Sequence, residues 1–156
     1  MTWGHVDLVE RSVELFDRLI LAVAASTSKS TLFSLEERLA MAREVVKKLE
    51  RVEVVSFDGL LVQFARAREV RVLVRGLRAF SDFEYEFQMA LTNRKLAPEI
   101  ETLFMMPKET HSYVSSSTVK QVASLGGSVR VFVPPAVDKA LRRRFDPAHG
   151  GALGEA

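Results

Sequence analysis

The sequence predicts a doubly wound α/β domain, a parallel sheet with helices on both faces. Three observations predict it. Short apolar runs of strand length alternate with segments of helical periodicity, capping signatures open two of the helices, and the polar loops follow the strands. The length of 156 residues suits one domain. We read it over about 1–145, with a frayed Gly- and Ala-rich tail over 146–156.

The elements follow in order. Val6, Val9, Val13 and Phe16 recur at helical spacing and predict a helix over about 5–16. The apolar run 19–25 reads as a strand buried on both faces. Ser34 with Glu37 forms a capping box that opens a helix to about residue 49. A strand over 52–55, a helix over 60–67 and a strand over 70–74 come next. Ser81 with Glu84 suggests a second capping box and a long helix to about residue 96. Residues 102–106 read as the fourth strand and the segment up to His111 as a loop. A helix over 116–125 is stopped by Gly126 and Gly127, and a last helix over 134–144 starts on a proline.

Composition excludes several classes. Hydrophobic residues make up 47% and charged residues 27%, which is globular rather than disordered. Without cysteine there is no disulfide framework, thiolate metal site or cysteine nucleophile, and a reducing, cytoplasmic setting fits. No apolar run reaches the roughly 20 residues of a membrane span. A formal net charge of +2 is no basic face for nucleic acid. A few placed cations must serve any anionic ligand.

In such folds ligands bind beyond the carboxyl ends of the strands, so the loops there are where site residues are expected. Lys29 lies in the loop after the first strand; it is either a solvated lysine or a point charge for phosphate. Arg75, Gly76, Leu77 and Arg78 follow another strand. The two arginines suit phosphate, Gly76 permits close backbone approach, and pairing with Asp82, Glu84 or Glu86 is the alternative. Ser115, Ser116 and Ser117 bring hydroxyls and free N–H groups to a helix start, as an anion site or as simple caps. His5 opens the first helix. The set holds cations and N–H donors but no evident general base, nucleophile or metal cage. That suits an attacking group already ionised near neutral pH, as a phosphate with its second pKa of about 6 would be. Catalysis then reduces to alignment and charge stabilisation.

These residues, in this order, resemble the nucleotidylyltransferase superfamily, whose signature is Thr/His-x-Gly-His. More narrowly, the run over about 4–145 looks like the bacterial phosphopantetheine adenylyltransferases. Gly4-His5-Val6-Asp7, the segment 33–38, Arg75 to Arg78 with the segment 82–86, and Ser112 to Ser117 carry the likeness. The resemblance implies a Rossmann-like nucleotidylyltransferase fold. It implies reversible transfer of AMP from ATP to 4′-phosphopantetheine, with Mg²⁺ accompanying ATP, giving dephospho-coenzyme A and pyrophosphate. His5 would stabilise charge on the α-phosphate. Lys29 and Arg75 would hold the acceptor's phosphate, with Leu61 along the pantetheine arm. Gly76, Leu77, Arg78, Glu86, His111, Ser112, Tyr113, Val114, Ser115, Ser116 and Ser117 would match the ATP-binding segments. A cytoplasmic homohexamer, and coenzyme A binding in the same site, are further implications.

The sequence departs from that pattern at two places. The family's opening strand and its Gly-Thr/Ser-Phe-Asp-Pro loop are not found, because Met1 falls at the signature itself, and that strand should be central in the sheet. His111 stands where Trp or Tyr is common. Two rival readings follow. Relatives that make NAD usually carry Ile-Ser-Ser-Thr-x-Ile-Arg, from which Val114 to Lys120 differ. The second rival is a catalytically impaired remnant that binds nucleotide or assembles with an intact copy.

Overall fold

The computed structural model describes residues 1–26, 31–78 and 80–146. Its elements are α1 (Trp3–Leu15), β1 (Leu19–Ala24), α2 (Leu35–Val46), β2 (Val52–Phe57), α3 (Leu61–Ala67) and β3 (Val72–Gly76). They continue with α4 (Phe80–Leu96), β4 (Glu101–Met105), α5 (Glu109–Ser112), α6 (Ser116–Ser124) and α7 (Pro135–Phe145). The alternation of helices and parallel strands read from the sequence is present.

The strands form two parallel pairs. β1 runs beside β2 with Leu19 opposite Val52, and β3 beside β4 with Val72 opposite Glu101. The pairs are not hydrogen-bonded to each other, although α1 touches both β1 and β3. A break there matches the expectation that a central strand is not among the four. It also corrects the reading of β1 as fully buried. Every residue of β1 is only partly buried, because the strand is paired along one edge.

Three apolar clusters fill the space around these pairs. Val9, Ala42, Val46 and Val54 join α1 and α2 to β2. Val62, Ala65, Leu73, Ala97 and Ile100 lie among α3, β3 and the segment after α4. Val114, Val119, Val129, Val133, Val137 and Leu141 hold α6 and α7 together.

Local signals act as expected at several helix ends. Ser34 Oγ accepts the Glu37 N–H at 3.2 Å while the Glu37 carboxylate takes the Ser34 N–H at 2.7 Å. Beyond α6 the Gly126 N–H reaches Ala123 O, and a φ of +79° there turns the chain away. Elsewhere the boundaries shift. α4 begins at Phe80, so Ser81 lies inside the helix rather than capping it. β3 starts and ends two residues later than expected, because pairing with β4 continues through Gly76. The one-turn helix α5 stands where the sequence predicts a loop, because four residues are too few for any periodicity to register.

Candidate active site

The site grows from the first turn of α1. Thr2, extended and almost wholly buried, is the N-cap, and His5 is the third helical residue. The Thr2 backbone N–H lies 3.1 Å from His5 Nδ1, and the Thr2 hydroxyl lies 2.8 Å from the same nitrogen. A backbone N–H can only donate, so Nδ1 is the unprotonated nitrogen and the ring carries its proton on Nε2. The imidazole thus closes a capping box in the place where Glu or Gln usually stands, and offers an N–H donor to the site.

His5 presents an open face, yet much of its ring is closely surrounded. Burial pushes its pKa down to about 4, helped by the nearby N-terminal ammonium and then by Arg78. Even the ordinary value of 6.5 would leave the ring mostly neutral above pH 7, so its open face does not change the conclusion. His5 is a neutral hydrogen-bond donor.

Gly4 brings the next element close. A Cβ at this buried glycine would lie 3.5 Å from His111 O and 3.6 Å from His111 Cβ, so α1 packs directly on α5. Asp7, one turn into α1, ties the two more firmly. Its Oδ2 accepts the Lys108 N–H at 3.1 Å, Lys108 Nζ lies 3.4 Å from Oδ1, and Arg11 stands 3.5 Å away. Arg11 also donates to Met106 O at 2.6 Å. Burial alone would raise the Asp7 pKa, but the Lys108 and Arg11 contacts outweigh it and hold the carboxyl below its ordinary value. Its stabilising contribution is therefore full above pH 3.8 and is lost as the pH falls through the lowered value. Asp7→Asn is expected to cost about 1–2 kcal/mol in denaturant unfolding. The segment from Met106 to Lys108 would loosen with it. Unchanged stability would show that the clamp is not holding that loop.

The remaining predicted residues fall into distinct places. Arg78 donates to Val114 O at 3.2 Å, joining the segment after β3 to the turn before α6. Ser115 is the N-cap of α6, accepting the Thr118 N–H at 2.9 Å. Ser116 and Ser117 are exposed in the first turn, while Ser112 Oγ is turned back to Glu109 O. Tyr113 is exposed and meets Phe132 edge-on at 6.5 Å. Thus His5, Arg78, His111 and the segment 112–117 are brought together around the start of α1.

Arg75 differs from expectation. It lies within β3, opposite Phe104, rather than in the loop beyond. Its guanidinium grips Glu86 of α4 through two contacts of 2.7 and 2.6 Å. The carboxylate pairing left open from the sequence is thus present, and the Glu86 bond raises the Arg75 pKa. Gly76 has a packing reason that the sequence did not reveal: a Cβ there would come within 2.4 Å of Leu8 Cδ1, where α1 crosses β3. Leu77 N–H continues the β ladder to Met105 O at 3.0 Å. Leu61 opens α3 and packs against the Val62 and Leu73 cluster. Lys29 lies outside the described residues.

Sequence reasoning missed Thr2, Asp7 and Arg38 as supporting residues. Arg38 donates to Ala24 O at 2.8 Å and so fixes the carboxyl end of β1. Thr2 stands at the first place of the Thr/His-x-Gly-His signature, and Asp7 and Arg38 lie within segments that carry the resemblance, but no local signal gives any of the three its contact. Two grooves lie along α7, one lined by Phe33, Met41, Lys139 and Arg143 and one by Arg130, Asp138 and Arg142. Neither is lined by the residues around His5, and Glu37 and Arg144 of the first already pair with each other at 2.6 Å.

A signature helix start, a neutral histidine donor and an adjoining basic, N–H-rich turn define a nucleotidyltransferase-type site. Comparison with known proteins agrees: the cytidylyltransferase-like family model matches residues 1–122, and the chain belongs to that family. A curated relative from Alkalilimnicola ehrlichii (strain ATCC BAA-1101 / DSM 17681 / MLHE-1), named phosphopantetheine adenylyltransferase, is 60% identical over 147 residues. The match covers 93% of this chain and 84% of that protein.

Proposed function

We propose that this chain transfers AMP from ATP to 4′-phosphopantetheine, giving dephospho-coenzyme A and pyrophosphate. The observation that carries the reading is His5 held by Thr2 as a neutral Nε2–H donor beside Arg78 and the turn into α6. The likeness to the named adenylyltransferase selects the acceptor.

An oxygen of the acceptor's phosphate attacks the α-phosphorus of ATP. The new P–O bond forms as the bond to the bridging α–β oxygen breaks, and pyrophosphate leaves with that electron pair. No base is required, since the attacking phosphate is already ionised. His5 Nε2–H donates to a non-bridging α-phosphate oxygen, where charge grows. Arg78 and the N–H groups at the start of α6 hold the triphosphate, which brings Mg²⁺ with it as part of the substrate. His111, Ser112 and Tyr113 border the nucleotide. Arg75 and Lys29 receive the acceptor's phosphate, so the Arg75 hold on Glu86 is shared or exchanged when substrate binds. Leu61 lines the pantetheine arm.

Among the described residues no helix is long and apolar enough to cross a membrane, and we place the reaction in the cytoplasm. We further assign a homohexamer, with coenzyme A returning to the same site as an inhibitor. The test is pyrophosphate release from ATP and Mg²⁺, with 4′-phosphopantetheine or nicotinate mononucleotide as acceptor. Release that requires the pantetheine acceptor is expected. Release with the mononucleotide instead would move the chain to the NAD-forming branch, and ATP binding without release would support the remnant reading.

A further inference from the structure

The resemblance sets Glu86 among the ATP-binding segments, but its contacts in the fold lie elsewhere. Between residues 83 and 96 only Glu86, Ala90 and Asn93 are even partly buried, marking the stripe of α4 that faces the β3–β4 pair. Arg75 follows the buried Leu73 by two residues and so lies on the same face of β3. There the Glu86 carboxylate meets the guanidinium side-on. Arg75 Nε donates to Oε2 at 2.7 Å and Nη2 to Oε1 at 2.6 Å, so both carboxylate oxygens are engaged.

The two side chains differ in exposure. Glu86 keeps 13% of its side-chain surface and Arg75 45%, so the carboxylate lies beneath and the guanidinium covers it. Among the described residues Nη1 has no hydrogen-bond partner, and Nη2 has a second proton. The outer edge formed by these two nitrogens can therefore take an anion while the inner edge stays on Glu86. Exchange is the costlier course, because it would leave a nearly buried carboxylate unpaired. An arginine without such a hold has many rotamers, and a ligand that must order it binds less tightly. We propose that Glu86 is a positioning residue, which holds Arg75 so that the outer edge of its guanidinium is set to receive the acceptor's phosphate. The proposal rests on the acceptor reading above, makes the hold on Arg75 shared rather than exchanged, and moves Glu86 from the nucleotide to the acceptor.

The test is isothermal titration calorimetry with 4′-phosphopantetheine, pantetheine and ATP with Mg²⁺, alongside KM values for acceptor and ATP from pyrophosphate release. Glu86→Gln should weaken 4′-phosphopantetheine about 3- to 10-fold, the effect of one long side chain left for the ligand to order. Pantetheine, which lacks the phosphate, and ATP should bind as they do to wild type. Arg75→Lys should also weaken the phosphorylated acceptor, and adding Glu86→Gln to it should change little, since Glu86 acts through the guanidinium. Glu86→Asp keeps the charge but draws the carboxylate back by one methylene. It should repeat the acceptor-selective loss, and it decides the matter if the glutamine variant misfolds. Tighter acceptor binding in Glu86→Gln would make Glu86 a competitor for Arg75 and overturn the proposal. So would equal losses for ATP or pantetheine, or additive losses in the double variant. A wild type that uses the pantetheine acceptor, with no change in these variants, would remove the positioning role alone. A wild type that neither binds nor uses that acceptor would remove the reaction reading with it.

Discussion

His5→Ala should lower kcat about 10²- to 10³-fold while the KM for ATP changes little, the loss expected when one donor to a transition-state oxyanion is removed. The reason lies in what His5 does in the structure. Its Nδ1 is occupied by Thr2, and in the proposed reaction its Nε2–H would follow charge onto the α-phosphate as the phosphorus is attacked. Such charge is greatest in the transition state, so the ground-state complex loses little. Steady-state kinetics with both substrates varied would check it; equal losses in kcat and ATP affinity would remove the assignment. The pH profile gives a second reading. With its pKa pushed down to about 4, His5 contributes no limb near neutrality. The acid limb should fall near pH 6, where the acceptor phosphate takes up its proton. Folding stability has its own sign: the folded chain binds fewer protons at His5 than the unfolded chain between about 4 and 6.5. This contribution is thus lost as the pH falls through that window.

Ile100→Ala should destabilise the fold by about 2–5 kcal/mol, among the larger losses for a single apolar truncation. Ile100 retains 1% of its surface and sits with Ala97, Val62, Ala65 and Leu73, joining α3 to the β3–β4 pair. These neighbours lie on α3, on β3 and just beyond the end of α4, so a cavity there collapses poorly. For a domain of this size the melting temperature should drop by roughly 5–15 °C. The β3–β4 pair should feel it first, because a two-stranded parallel pair has little stability without the residues packed on its face. Thermal unfolding followed by circular dichroism would check this; a shift below about 3 °C would mean that the cluster is loosely packed and tolerates the void.

Several features were legible in the sequence because their causes are local. The capping box of Ser34 and Glu37 needs three residues of chain, and the turn at Gly126 needs a glycine at positive φ. The alternation of strand and helix follows from apolar spacing within each segment. The signature Gly4-His5 and the serines at the start of α6 are likewise contiguous.

What only the tertiary structure decided is how distant segments meet. The contact of Arg78 with Val114 spans 36 residues, and that of Lys108 with Asp7 spans 101. No periodicity rule reaches so far. The sequence left Arg75 between a phosphate ligand and an ion-pair partner; packing of α4 on β3 set its guanidinium on Glu86. It offered Gly76 as a point of ligand approach, whereas the fold uses the missing side chain to admit Leu8. The state of His5 was equally hidden, since it depends on which ring nitrogen faces the Thr2 N–H and on how much water the surrounding segments exclude. Local chemistry determined which residues are present at the strand ends and helix starts. Long-range packing decided which of them touch, because burial and charge pairing are properties of neighbours in space rather than along the chain.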